Sequence, residues 1–465
     1  MGFVLFPKFT KGKFSVSFIV GFFIFCIAFF SAKISNFPFF NLVIPSLTFL
    51  CFLIFSFKFQ YYRRQCLKKE NIFFLLSLLI LYFINSIYSF TSITGDSIEY
   101  LLQAKLLLMP KIPPLFYFKI LSWGGPSAGL PLLMDMLYFN KPDLFIFPLI
   151  SLCLLFLVFN WSEKNQNKSN PTKKEKVLFL GLILFSPIVI QQFIFIGTNL
   201  FSAYLLLFML WILDNKKTFL DTTSYQYTVS QIFIFFCASL IFLFIRNESG
   251  MLLISLSVIS LFYYKINRIS YFFMFIIPSI LFASMRAIMS TDTLYLPYYF
   301  LKNVDMKSSH QLYYGCVYFF SIILLAILAE IQFFKKLAPY FHGILISFIV
   351  AIFYVFPLEF IEAVFRNVSN IFLNYPLYFL LFSLFIITYD PKDRLNKSIL
   401  AITLYYFLMI LSFAIFFTGP FRIHFHSSDS RMFILPYIIL VLGMLNNYDH
   451  FKKYIFNLKM PLERK

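Results

Sequence analysis

Long, uninterrupted runs of apolar residues constrain this chain more than any other feature. Ser15–Phe30, Ile72–Tyr88, Val177–Phe195 and Ser398–Phe417 each approach the ~20 residues that a helix needs to cross a hydrocarbon core. In lipid every backbone N–H and C=O must be bonded within the chain, so continuous runs imply helices. A transmembrane barrel would show alternating segments of about ten residues instead. Composition points the same way: 60% of the 465 residues are hydrophobic, 70 are Phe, and only 13% are charged. Soluble domains carry about 25% charged residues. The expected fold class is all-α, a polytopic helical membrane protein with about 12–14 transmembrane helices. The first run lacks a small-residue cleavage site and is followed at once by Phe37–Phe57, so a retained helix is expected rather than a removable signal peptide.

Counted along the chain, the crossings fall near 14–32, 37–57, 71–93, 143–161, 177–196, 198–213, 229–245, 249–264, 270–287, 314–334, 340–357, 371–389, 398–418 and 432–447. With the N-terminus in the cytoplasm, the inner segments hold 27 of the 39 Lys and Arg, while acidic residues divide equally. Basic residues in short loops set orientation and acidic ones contribute little, so this asymmetry fits both termini inside. The net charge of +19 then reports topology, and no nucleic-acid partner is expected. Arg63–Arg64 and Lys173–Lys176 are taken as topology anchors. Of the six cysteines, five lie in or beside apolar runs and Cys66 lies in a basic loop, which gives neither a disulfide framework nor a metal spacing.

Polar residues gather on the outer side. The longest outer segment, 94–142, opens with Thr94-Gly95-Asp96-Ser97-Ile98-Glu99-Tyr100. Gly95 ends the preceding helix, and the mainly apolar Ile98–Met109 suggests a helix lying along the membrane surface. On such a helix Asp96 and Glu99, three apart, share one face. They suit a general base with its partner, or two oxygen ligands for a cation. Equally, Asp96 suits a helix N-cap and Glu99 a solvated face. The Pro- and Gly-rich stretch from Pro110 to Gly129, containing Tyr117, predicts a loop of fixed shape.

A second group, Arg246-Asn247-Glu248-Ser249-Gly250, lies between two crossings, where an Arg–Glu pair is costly unless it has a function or forms a charged hairpin turn. A third comprises Arg422, His424, His426, Asp429 and Arg431, which suit a phosphate better than a metal. Arg286, His310, Glu359, Glu362 and Arg366 fall at or near the same face. No glycine-rich nucleotide loop, nucleophile elbow, zinc spacing or internal repeat is visible.

These residues resemble the GT-C glycosyltransferases, polytopic enzymes that use polyprenyl-phosphate sugars. Asp96 and Glu99 with Tyr100 and Ala104 are similar to that family's acidic outer-loop motif. Pro113-Pro114-Leu115-Phe116-Tyr117-Phe118 resembles the Pro-Pro-Leu-Tyr stretch of the lipid A aminoarabinose and protein O-mannosyl branches. Arg246-Asn247-Glu248-Ser249-Gly250-Met251-Leu252-Leu253 is similar to an Arg-x-Glu-x-Gly-x-Leu-Leu string at a later outer turn. Arg431-Met432-Phe433 with Pro436 resembles the family's Arg-Tyr-x-x-x-x-Pro ending. Three departures stand out: two helices precede the acidic loop, the acids are spaced Asp-x-x-Glu, and Asn199 stands where many members carry an acid.

The resemblance implies two extra N-terminal helices in 1–70, a GT-C-like catalytic module in 71–447 and a basic cytoplasmic tail in 448–465. It implies transfer of a sugar from a polyprenyl-phosphate donor, with inversion, to a glycan, lipid or protein acceptor at the outer face of a bacterial inner membrane. Asp96 would be the base and Glu99 its partner. Arg246, Glu248, Arg286, Arg422, His424, Arg431, Tyr100 and Tyr117 would bind substrate and phosphate, and a divalent cation on Asp96 and Glu99 is optional. The rival expectations are a lipid-linked oligosaccharide flippase and an O-antigen polymerase or ligase. A flippase would place charge in helix interiors near the bilayer midplane, and a polymerase would carry its large outer loop late in the chain.

Overall fold

Helices occupy the apolar runs that the structure describes. The structure, a computed structural model, describes residues 40–88, 152–157, 199–214, 229–245, 249–290, 308–337, 340–416, 433–448 and 450–451, with isolated positions besides. Helix accounts for 89% of the described residues and no strand occurs among them. The all-α expectation holds at that level.

In chain order the helices are α1 (Phe40–Phe57), α2 (Phe59–Cys66), α3 (Lys69–Tyr88), α4 (Asn199–Asp214), α5 (Val229–Ile245), α6 (Ser249–Phe262) and α7 (Arg268–Tyr271). A π-helical turn, Phe272–Ile276, joins α7 to α8 (Ile277–Ser290). There follow α9 (Ser308–Leu328), α10 (Gln332–Leu337), α11 (Phe341–Val355), α12 (Pro357–Asn374), α13 (Tyr378–Ile387), α14 (Arg394–Phe416) and α15 (Ile434–Asn446). They fall into two compact units. The first comprises Met1–Phe156, Ile194–Ser257 and Ile266–Leu328; the second comprises Leu157–Phe193, Val258–Lys265 and Ala329–Lys465.

Each unit contains one helix buried on every side. In unit 1 it is α4, buried from Leu200 to Leu213; in unit 2 it is α15, buried from Ile434 to Leu445. A helix apolar all round has no face to offer water, so burial on every side is the expected outcome. The outer helices differ: α3 exposes Phe73, Leu76, Ile80 and Phe83, and α11 exposes Phe348, Phe353 and Tyr354.

Contacts fix the relative direction of several helix pairs. In unit 1, Tyr271 at the start of the α7–α8 segment bonds the carbonyl of Ile322, late in α9. Phe282, later in that segment, meets the earlier Tyr318 edge-on, so the two run antiparallel. In unit 2, α14 and α15 run antiparallel, because Asn396 bonds Asn447 while a side chain at Gly443 would meet Ile399. There α13 runs parallel to α15, with Tyr378 against Phe433 and Phe385 against Gly443.

Proline sets several boundaries. Pro357 and Pro376 force the residues before them out of the helical region: Phe356 has φ −130°, ψ 63° and Tyr375 has φ −136°, ψ 67°. The expected crossing 371–389 is therefore cut at Tyr375–Pro376, and the expected outer loop 358–370 is a helix, α12. α11 and α12 meet at an angle of 119°. Pro278 has no N–H to continue the ladder; beside it the Ile277 N–H bonds the Phe272 carbonyl in the π turn. The basic segment 58–70, expected as a loop, contains α2.

Among the described residues one helical stretch, Arg394–Ser412, is by itself long and apolar enough to cross a membrane, and the bent pair α11–α12 qualifies jointly. Shorter apolar helices such as Val229–Leu243, Ser249–Phe262 and Ile434–Asn446 accompany them.

Candidate functional site

Most of the candidate residues lie outside the described residues: Asp96, Glu99, Tyr100, Tyr117, Arg246, Glu248, Arg422, His424 and Arg431 all do. So does the outer segment 94–142 with its expected surface helix. What the structure places are the helices that border them. Arg246-Asn247-Glu248 falls between α5 and α6, and Ser249 and Gly250 open α6. Arg286 lies in the last turns of α8, and His310 lies in the first turn of α9.

The packing of unit 1 brings two of these regions together. A Cβ on Gly250 would lie 3.5 Å from Tyr318 Cδ2, an ordinary contact, so α6 approaches the α9 ring closely. Tyr318 in turn stands edge-on to Phe282, with ring centroids 5.7 Å apart. Phe282 and Arg286 are one helical turn apart on α8 and share a face. The start of α6 and the Arg286 end of α8 are thus held by one buried ring pair. Ser249 is buried, and its Oγ finds no hydrogen-bond partner among the described residues. That hydroxyl sits next in sequence to the Arg246-Asn247-Glu248 string.

Deeper in the same helices the polarity is low. Ser257 Oγ lies 2.6 Å from the Tyr271 hydroxyl, which donates onward to the Ile322 carbonyl at 3.0 Å. Ser239 bonds Met209 Sδ at 3.5 Å. These are helix-to-helix fastenings rather than reactive groups.

Of the unit 2 candidates, Glu359, Glu362 and Arg366 are described, all on α12. Arg366 donates to Glu362 at 2.8 Å, an i,i+4 pair on α12 with Glu362 well exposed. Glu359 lies in the first turn of α12, where a carboxylate suits the positive end of the helix dipole.

A polar cluster that the sequence reading missed lies at the other end of α14. Asp393 accepts from the Leu395 N–H at 2.9 Å, capping the helix, and its second oxygen accepts from Asn446 at 2.8 Å. Asn396 donates to Asn447 at 2.9 Å, and both are fully buried. One residue along, His342 Nε2 donates to the Lys397 carbonyl at 3.0 Å while its ring stacks on Tyr263. The oxygens here already accept donors, so the cluster clamps helix ends and offers no open ligand position. Its sequence signal is the Asn446-Asn447 pair closing an apolar run.

Among the described residues no group of three or more His, Cys, Asp or Glu could hold a metal ion. Five described cysteines, Cys51, Cys66, Cys153, Cys237 and Cys316, are free thiols. Partial burial raises the Cys66 thiol above its ordinary value, which disfavours the ligating thiolate.

No family model, curated protein or solved structure matches the chain.

Proposed function

We infer that the chain is a polytopic membrane glycosyltransferase of the GT-C type, moving a sugar from a polyprenyl-phosphate donor to an acceptor outside the cytoplasm. The observation that carries the reading is the shared anchoring of two candidate phosphate-binding regions. In sequence the Arg246-to-Gly250 string leads into α6 and Arg286 falls in the last turns of α8, and Gly250 of α6 is linked through Tyr318 to Phe282 of α8. An arginine just before α6 in sequence and another near the end of α8 suit a phosphate, because guanidinium forks match phosphate oxygens.

Membrane embedding is supported by the exposed apolar stripe on α3 and by the exposed aromatic side chains of α11. Contiguous apolar surface on a folded chain marks contact with lipid or a partner. The helix directions fixed by contact in each unit suit the alternation of sides on which the basic-residue count depends.

In the proposed reaction Asp96 accepts the proton of the acceptor hydroxyl as its oxygen attacks the anomeric carbon. The bond from that carbon to the phosphate oxygen breaks on the opposite side, giving inversion and releasing polyprenyl phosphate. Arginines at the outer face stabilise the charge on the departing phosphate, the largest expected contribution to the rate. Glu99 orients Asp96 or, with it, supplies hard oxygen donors to a divalent cation. No step above requires that ion.

The test is glycosyl transfer by the purified, reconstituted chain with a panel of polyprenyl-phosphate sugars. Asp96→Asn is expected to lower turnover roughly 10²–10⁴-fold, the usual contribution of a general base, without loss of helicity. Full turnover in Asp96→Asn removes the base assignment. Movement of labelled lipid-linked glycan across the bilayer without donor consumption replaces the reading with a flippase.

A further inference from the structure

α2 is a short helix held inward by one tyrosine and covered outward by charge. Tyr62 is 1% exposed and stacks on Phe55 of α1, with ring centroids 5.3 Å apart and planes 14° from parallel. One turn on, Cys66 is half-buried on the same side. That stripe fixes which face of α2 turns outward. The face so presented, with the turns at either end, exposes Lys58, Arg63, Arg64, Lys68 and Lys69. No acidic residue occurs from Lys58 to Lys69. Interleaved with the cations are exposed apolar side chains: Phe57, Tyr61 and Leu67.

Neither half of this pattern is explained by the packing. Five exposed cations without an acid between them repel one another unless an anionic surface is opposite. Exposed Phe57 and Leu67 lose contact with water only if that surface has an apolar layer beneath its charge. The patch also links α1 to α3, and both of those helices expose apolar side chains, Phe52 on one and Phe73 on the other. A boundary between hydrocarbon and phosphate headgroups has this layering, whereas a nucleic acid or an acidic peptide offers charge without it.

We propose that the surface formed by α2 and its flanking turns, Phe57 to Lys69, binds the headgroups of anionic phospholipids. The cations pair with the phosphates, and the interleaved apolar side chains enter the acyl boundary. The inference rests on the membrane reading above but not on the glycosyltransferase chemistry. It assigns to Arg63 and Arg64 a ligand beyond their effect on orientation.

The experiment uses the full chain purified in mild detergent and titrated with phosphatidylglycerol or phosphatidylcholine, with bound lipids counted by native mass spectrometry. The wild-type chain is expected to prefer phosphatidylglycerol by roughly tenfold or more, since each basic residue near an anionic surface adds a severalfold gain. A variant combining Arg63→Gln, Arg64→Gln, Lys68→Gln and Lys69→Gln loses the preference while binding phosphatidylcholine as before. The pair Lys335→Gln and Lys336→Gln, on α10, keeps it. So does the pair Arg63→Lys and Arg64→Lys, which guards against loss through misfolding. Equal binding of both lipids by the wild-type chain overturns the proposal, as does a preference that survives the fourfold variant. Alkaline carbonate extraction separates the two levels: release of the chain from membranes sinks the membrane reading, whereas retention without headgroup preference sinks only this site.

Discussion

The two units of this chain are fastened by different chemistry around the same kind of centre. Each surrounds one fully buried helix, α4 in the first and α15 in the second. Unit 1 ties its helices with hydroxyls, in the Ser257–Tyr271–Ile322 relay and the Ser239–Met209 contact. Unit 2 gathers one aspartate and three asparagines at the joint of α14 and α15. A hydroxyl has a local alternative: Ser255 bonds the Leu252 carbonyl and Ser279 bonds that of Phe275, both within their own helices. The amides instead bond chiefly across the joint, Asn446 to Asp393 and Asn396 to Asn447, while Asn447 Nδ2 finds no partner among the described residues. Hydroxyl fastenings therefore tolerate sliding, whereas the amide cluster fixes one register of α14 against α15.

That contrast can be tested by substitution, and the largest effect should come where unit 2 is tightest. A Cβ at Gly443 would lie 2.7 Å from two ring carbons of the fully buried Phe385. Gly443→Leu forces α15 away from α13 and is expected to cost about 3 kcal/mol, at the upper part of the overpacking range. Thermal unfolding in detergent, followed by circular dichroism, reads this directly. An unchanged melting temperature would mean that the approach of α15 to α13 does not govern the unit.

Asn396→Ala comes next. It removes the 2.9 Å donor to Asn447, leaving that oxygen only the 3.3 Å contact from Asn446, while Asn446 keeps Asp393. The expected cost is about 2 kcal/mol, for a lost buried hydrogen bond and an under-satisfied acceptor. Asn396→Asp, with two acceptors and no donor, should not restore stability.

The smallest effect belongs to unit 1. Tyr271→Phe removes the relay, but Ser257 can turn to a carbonyl of its own helix. The loss should be about 1 kcal/mol or less, in line with hydrogen bonds between membrane helices. If Tyr271→Phe proves as damaging as Asn396→Ala, the proposed difference between hydroxyl and amide fastening fails.

Apolar periodicity and length made much of the helix framework legible from the sequence. The run 229–245 coincides with α5, and 249–264 and 432–447 differ from α6 and α15 by only a few end residues. Hydropathy misled at α12. Glu359, Glu362, Arg366 and Asn367 lower the local average and make 358–370 look like a loop, yet a helix forms between two prolines. Its inward side places Ala363 against Leu411 and Ile415 of α14, so tertiary packing decided what hydropathy could not. The amide cluster was illegible for another reason. Asn396 and Asn447 stand 51 positions apart, and no local spacing announces their meeting. Of the candidate site, the sequence supplied the residues and the structure supplied α6, α8 and α9, which carry Gly250, Arg286 and Tyr318.

The π turn at Phe272–Ile276 has a consequence for Arg286. A five-residue turn takes up one residue more than an α turn, setting back the angular phase of everything after it by about 100°. A helical wheel drawn straight from Arg268 to Ser290 would therefore assign Arg286 to the wrong quadrant relative to Tyr271. Shortening the turn by one residue would leave the composition of α8 intact while rotating the whole stripe of positions 282 and 286 relative to Tyr271. The angular position of residue 286 on α8 is thus set ten or more positions upstream of it, in a single surplus residue.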